Sequence, residues 1–318
     1  MSICAKEYSV TLKSKWDTFI TESKNGIFLF YRDYMEYHVD RFVDYSLMFY
    51  EDERLIGVMP ASLHGNTVIS HGGLTFGGIV IDSRMRTAKM LEIFKVLKEY
   101  LLDHAIQCLI YKAVPHIYAD LPAEEDIFAL HYLGANLFRR DVSSCIDMRN
   151  KLLGFSKGRK WLISRAKKMG LLVKQVEDFK TFMAIEEENL MRQHGVKPVH
   201  TAEEMALLAG RFPNYIKLFA SYKDDVIMGG VIIYESDHVA HTQYIAATEE
   251  GRGMGATDII ISYLINEYYA KKRYFDFGIS TEAEGSHLNV GLIENKEGYG
   301  ARAVTYDFYK WMLSVPLC

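Results

Sequence analysis

Short apolar runs broken by charged turns recur along the chain, and they predict strands before they predict helices. Residues 215–222 and 226–235 are β-rich and flank Lys223-Asp224-Asp225. Two such runs around so short a charged break predict an antiparallel hairpin. Residues 239–247 add a third strand, 274–278 a further β-rich run, and 303–313 a last one. Residues 179–193 and 258–271 instead repeat their apolar positions every three to four residues, which predicts amphipathic helices.

The first half reads in the same order. Residues 45–50 and 55–63 flank Glu51-Asp52-Glu53-Arg54, and 67–71 follow the turn His64-Gly65-Asn66. Residues 87–104 have helical spacing through Met90, Leu91, Phe94, Leu97 and Leu101; 108–113 read as a buried strand, 122–133 as a helix and 137–148 as a strand. A short helix is expected at 16–23. The aromatic stretch 27–45 reads either as a core helix with snorkelling Arg32 and Arg41 or as one wall of a substrate cleft. Residues match as well as order: Leu133-Gly134-Ala135 corresponds to Tyr299-Gly300-Ala301, and Glu53-Arg54-Leu55-Ile56-Gly57 to Asp224-Asp225-Val226-Ile227-Met228-Gly229. An offset of about 170 residues is too long for a solenoid and fits two copies of one domain. The expectation is a mixed α/β (α+β) protein of two tandem domains, 1–150 and 151–318, each a mixed central sheet flanked by helices.

Composition narrows the function. Of 318 residues, 49% are hydrophobic and 25% charged, ordinary for a globular protein with a substantial core. A net charge of −4 argues against bulk nucleic-acid binding, so DNA is not an expected partner. Cys4, Cys108, Cys145 and Cys318 form no metal or redox spacing and read as reduced thiols of a cytoplasmic protein. Residues 1–16 lack a hydrophobic signal region, and no run is long enough to span a bilayer. No catalytic serine triad, Walker loop or metal spacing is present; His116, His131 and His200 have no partners at ligand spacing.

Two stretches carry candidate chemistry. Gly251-Arg252-Gly253-Met254-Gly255-Ala256 lies between a strand and a helix. Such a turn either points free N–H groups at a phosphate or is a plain connection. Residues 151–174 hold eight basic residues and no acidic one, with Trp161 on the polar face beside Lys157, Lys160 and Lys168. That is either a solvated face or a patch for an anion such as tRNA, a nucleotide diphosphate or an acidic lipid headgroup, so peripheral membrane contact stays open.

The sequence resembles the GNAT acyltransferases, and more narrowly the tandem-GNAT group related to the Fem peptidoglycan aminoacyltransferases. The matching residues are Gln243-Tyr244-Ile245-Ala246-Ala247, Phe275-Asp276-Phe277-Gly278-Ile279-Ser280, Asn289-Val290-Gly291-Leu292, Lys296-Glu297-Gly298-Tyr299-Gly300-Ala301-Arg302 and Arg165-Ala166-Lys167-Lys168-Met169-Gly170. The resemblance implies N-acyl transfer from acetyl-CoA or another acyl-CoA to an amine on a small or cell-envelope substrate. It implies chemistry beside Tyr244, where two sheet strands splay. Ile245 to Ala247 would supply backbone N–H groups. Arg252, Gly253, Gly255 and Ala256 would hold the donor. The coenzyme A loop of the family departs here, because Thr257 ends one frame and Glu250 begins the other. Charged tRNA therefore stays open as the donor, as does a binding protein with a decayed site.

Tyr244 is the candidate to orient the acceptor or protonate the leaving group, and His194 is the candidate base. Strand alternation puts His241 and Gln243 on one face and Tyr244 on the other. Tyr31, Arg192, Ser280, Asn289 and Lys296 are candidate acceptor contacts, in a cleft walled by Tyr31 and Tyr34 and floored by Tyr244 and Lys296. The first half is expected to lack its own donor site, because Gly72-Gly73 and Gly77-Gly78 lead into a strand.

Overall fold

The computed structural model describes residues 2–151 and 153–313, except for the side chain of His194. Cys318 lies outside the described residues. The chain folds as two compact units. Among the described residues, one holds those up to 141 with 284–286 and 305–313; the other holds those from 142 to 283 and 287–304. The sequence placed a division at 150/151, whereas the structure divides the chain between Asp141 and Val142, inside the strand Asn136–Asp147. Nothing in that strand marks the change, because both parts obey the same extended pattern.

In the first unit, Ile3–Glu7, Leu47–Glu51, Arg54–Met59 and Val80–Ile81 form an antiparallel sheet. Glu51 pairs with Arg54 across the expected hairpin, and Asp52 takes the left-handed conformation (φ 53°) that the tight turn demands. Cys108–Lys112 runs parallel to Thr67–Ile69 and antiparallel to residues 308–312. The helix Thr87–Asp103 buries Met90, Ile93, Phe94, Leu97 and Leu101 in the core of this unit. The expected helix over 27–45 is not one helix. It is the 3₁₀ turn Phe28–Phe30, the single turn Arg32–Met35 and the 3₁₀ turn Glu36–His38, broken where Tyr31 is extended (ψ 143°). Arg32 does not snorkel. It is 2% exposed, pairs with Asp44 and Glu36 at 2.9 Å each, and stacks 3.8 Å from the Tyr8 ring centroid.

In the second unit, Leu172–Val176, Ile216–Lys223, Val226–Glu235 and Val239–Ala247 form an antiparallel meander. Asp224 and Asp225 both have positive φ, which makes the hairpin turn the charged break predicted. Tyr274–Ile279 then lies parallel to Val239–Ala247, and residues 143–147 pair antiparallel on its far side. Helix Ala256–Tyr263 covers one face with Ile260 and Ile261, and Phe219, Val231, Ile233 and Phe275 complete the core. Each such side chain, fully buried, contributes roughly 1.5–3 kcal/mol. The strand Leu172–Val176 and the helices Ala202–Arg211 and Val290–Glu297 were not read from the sequence.

Candidate active site

The strands Val239–Ala247 and Tyr274–Ile279 pair only through Val239–Tyr274, Ala240–Phe275 and His241–Asp276. Beyond that point they part, and the fork is held open by fully buried Asp276. Its carboxylate takes His241 Nδ1 at 2.7 Å on one oxygen and the Ser143 hydroxyl on the other. A bulge opposite Ile232 and Ile233 inserts Gln243 into the strand. The bulge breaks the alternation expected between His241, Gln243 and Tyr244.

Past the bulge the ladder fixes which backbone groups face the fork. The Thr248 N–H bonds to Met228 O at 2.9 Å, and Ala246 and Tyr244 pair in step with it. Alternation therefore turns the N–H groups of Ile245 and Ala247 away from the neighbouring strand and into the fork. Ala247 O points the same way and accepts from Asn189 Nδ2 at 3.0 Å.

A cleft of about 320 Å³ occupies the fork. Ile245, Ala246, Ala247 and Phe277 line it from the strands. Glu186, Asn189, Leu190 and Gln193 line it from helix Phe179–His194, and Leu292, Asn295 and Lys296 from helix Val290–Glu297. Glu186 is 9% exposed, and no side-chain hydrogen bond or ion pair engages it among the described residues. Burial pushes its carboxyl up to about 7. Lys296 is 6% exposed and donates to Gly278 O at 2.8 Å and Ile279 O at 2.7 Å. Burial pulls its ammonium down to about 8, partly opposed by the Asp276 charge. An ammonium has three N–H donors, so one is left for the cleft. Tyr299 also lines the cleft; its hydroxyl bonds to Asp258 at 2.7 Å, and Arg159 reaches the same carboxylate at 2.8 Å.

The other expected site residues fall in different places. Tyr244 does not line this cleft; its hydroxyl meets His200 Nδ1 at 2.7 Å. His194 ends its helix, and its side chain lies outside the described residues. Arg252 lines the cleft, and it and Arg192 both reach Asn189 Oδ1. Asn289 caps helix Val290–Glu297, accepting from Leu292 N–H and donating to Glu282, so its amide is spent on structure. Ser280 is buried at 1% exposure away from the cleft lining. Tyr31 belongs to the first unit, where its hydroxyl meets Thr21 at 3.1 Å.

The glycine-rich turn also differs from expectation. Residues Glu249–Met254 form a short helix capped by Thr248, which accepts from Gly251 N–H at 3.0 Å. The Arg252 N–H bonds to Thr248 O, and that of Gly255 to Arg252 O. These amides are satisfied within the turn. Two of the glycines serve packing. A Cβ at Gly251 would lie 2.0 Å from Met228 O, and one at Gly255 would lie 2.6 Å from Leu162 O.

Residues 156–284 match the family profile described as an acetyltransferase (GNAT) domain. This stretch is similar to GNAT domains. Solved structures share the fold over nearly the whole chain. FemX aligns with a TM-score of 0.67 at 11% identity, over 95% of this chain and 96% of that one. L-PGS from Bacillus licheniformis aligns at 0.59 and 12%, over 98% and 94%. The tandem GNAT protein from the clavulanic acid biosynthesis pathway aligns at 0.51 and 12%, over 99% of each. Comparison with curated protein sequences gave no match. The resemblance read from residues 243–302 thus holds at the level of fold. The fork, Glu186 and Lys296 all belong to the unit that holds nearly all of the matched stretch.

Proposed function

We propose that the second unit moves an acyl group from an acyl-CoA to an amine on a small or cell-envelope substrate. The observation that carries this is the fork edge, where strand alternation turns the Ile245 and Ala247 N–H groups toward a buried carboxylate that no side chain engages among the described residues. An open strand edge suits an extended arm that bears amides, as the pantetheine of coenzyme A does. The Arg252 side chain, rather than the capped amides of the turn, would meet the phosphates. Glu186 accepts a proton from the incoming ammonium and frees the amine to attack. Ile245 and Ala247 N–H groups donate to the carbonyl oxygen as negative charge develops there, a contribution that typically reaches 10²–10³-fold. Lys296 gives a proton to the departing sulfur and takes back the second proton of the attacking nitrogen as the amide forms.

A specific observation favours a second donor, an aminoacyl-tRNA. Glu249 and Glu250 sit in the first turn of the short helix and disfavour a pyrophosphate there. Thermal melts with acetyl-CoA and with charged tRNA separate the two. Saturable stabilisation by acetyl-CoA, worth about 2.7 kcal/mol at a hundredfold excess over Kd, is the expected result. Stabilisation by charged tRNA alone would move the reading to the second donor, and none by either would contradict both.

A further inference from the structure

The outward face of helix Lys157–Lys168 plays no part in the fork. Ile163 and Ala166 are buried on its inner side, while Lys157, Lys160, Arg165, Lys167 and Lys168 are exposed. Trp161 lies in the middle of this basic face and is 59% exposed. Positions 157, 161, 164 and 168 fall on one stripe of the helix. The Arg165 guanidinium sits 5.3 Å from the Trp161 ring centroid. An exposed tryptophan among lysines combines an apolar ring with a polar N–H, the composition enriched where one end of a side chain is apolar and the other wet.

We propose that this face docks the protein on the surface of an anionic lipid bilayer. The charge distribution supports that partner: residues 151–174 carry eight positive charges and no negative one, in a chain whose net charge is −4. A negatively charged surface would attract this stretch, repel the rest and so orient the molecule. The face is the outer side of a single helix and is rich in lysine. It suits a plane of headgroups with an indole at the interface better than the groove a single strand of nucleic acid needs. The inner side of the same helix is fixed to the active unit, since Arg159 bonds Asp258, which in turn bonds Tyr299 of the cleft lining. Docking therefore brings the fork near the membrane, where an envelope amine carried on lipid would be found.

The sequence contains three tryptophans, and Trp16 and Trp311 are buried at 0% and 2% exposure, so changes at an exposed indole report Trp161. The full chain is titrated with vesicles of phosphatidylcholine and with vesicles that also contain phosphatidylglycerol, and binding is followed by fluorescence and sedimentation. A blue shift and co-sedimentation with the anionic vesicles only, reversed by high salt, are expected. Lys157→Glu, Lys160→Glu and Lys168→Glu together should weaken sedimentation by at least about tenfold. Trp161→Ala should weaken it further, and neither change should move the melting temperature. Equal binding to both vesicle types would overturn the proposal, as would charge-reversed protein that binds like wild type. Binding to tRNA without binding to vesicles would also overturn it, in favour of a nucleic-acid partner.

Discussion

Glu186 shows how a single residue carries both the chemistry and its cost. Its carboxyl holds its proton up to about 7. An unfolded glutamate loses it near about 4.3. Below about 4.3 the side chain is neutral in both states. Between about 4.3 and about 7 the unfolded chain gives up this proton while the folded one keeps it, so stability falls across that window and stays lower above it. Glu186→Gln should therefore raise the melting temperature at pH 8 and leave it close to wild type at pH 4. The same gap at both values would show that the carboxylate is not desolvated. Activity has the opposite requirement. Glu186 must lose its proton while Lys296 keeps its own, so the rate should peak between about 7 and about 8. Glu186→Gln should lose the acidic limb, and Lys296→Met the alkaline one. Part of this was legible in the sequence. Phe179, Phe182 and Met183 set a buried stripe on their helix, and Glu186 falls on its next position, where a hydrophobic residue belongs. A carboxylate in that place marks a candidate site. Tyr244 drew attention instead because it lies in the family motif, but the bulge at Gln243 re-aims the strand, and no alternation rule anticipates a bulge.

At the level of elements, the strands were legible and the glycine turn was not. Alternation and charged hairpin breaks located the last three strands of the meander to within a residue or two, and missed the first. The turn Gly251–Gly255 read either as a phosphate cradle or as a plain connection, because glycines are shared by two causes, open amides and close packing. The structure separates them by position. Gly251→Ala would drive a methyl group into Met228 O and should lower stability by several kcal/mol, read as a loss of melting temperature. A Cβ at Gly253 meets nothing within 4 Å. Gly253→Ala in this helix should be neutral or stabilising by up to about 1 kcal/mol, with an unchanged KM for the donor. A large rise in that KM without a change in melting would restore the amide cradle. Helix Val290–Glu297, which carries Lys296, went unread. It opens with Val-Gly and is held by the Asn289 cap rather than by a strong apolar stripe.

The whole chain was legible as two related halves, because the order of elements repeats. Its division was not, because the strand Asn136–Asp147 gives its last residues to the second unit and residues 305–313 belong to the first. A fragment 151–318 lacks Ser143 and the segment that pairs with Tyr274–Ile279, leaving an open edge beside buried Asp276. That fragment should fail to unfold cooperatively in a thermal melt, since an unpaired edge strand invites aggregation. A sharp reversible transition would show that the cut at 150/151 suffices. The central claim is acyl transfer to an amine at the fork. Its most direct measurement follows isotope-labelled acyl groups from acetyl-CoA into a panel of amino sugars and envelope amines by mass spectrometry at pH 7.5. The expected result is labelled amide product with wild-type protein and a loss of roughly a hundredfold or more with Glu186→Gln, the scale of a lost general base. No labelled product from acetyl-CoA or charged tRNA, or equal product from wild type and Glu186→Gln, would contradict it.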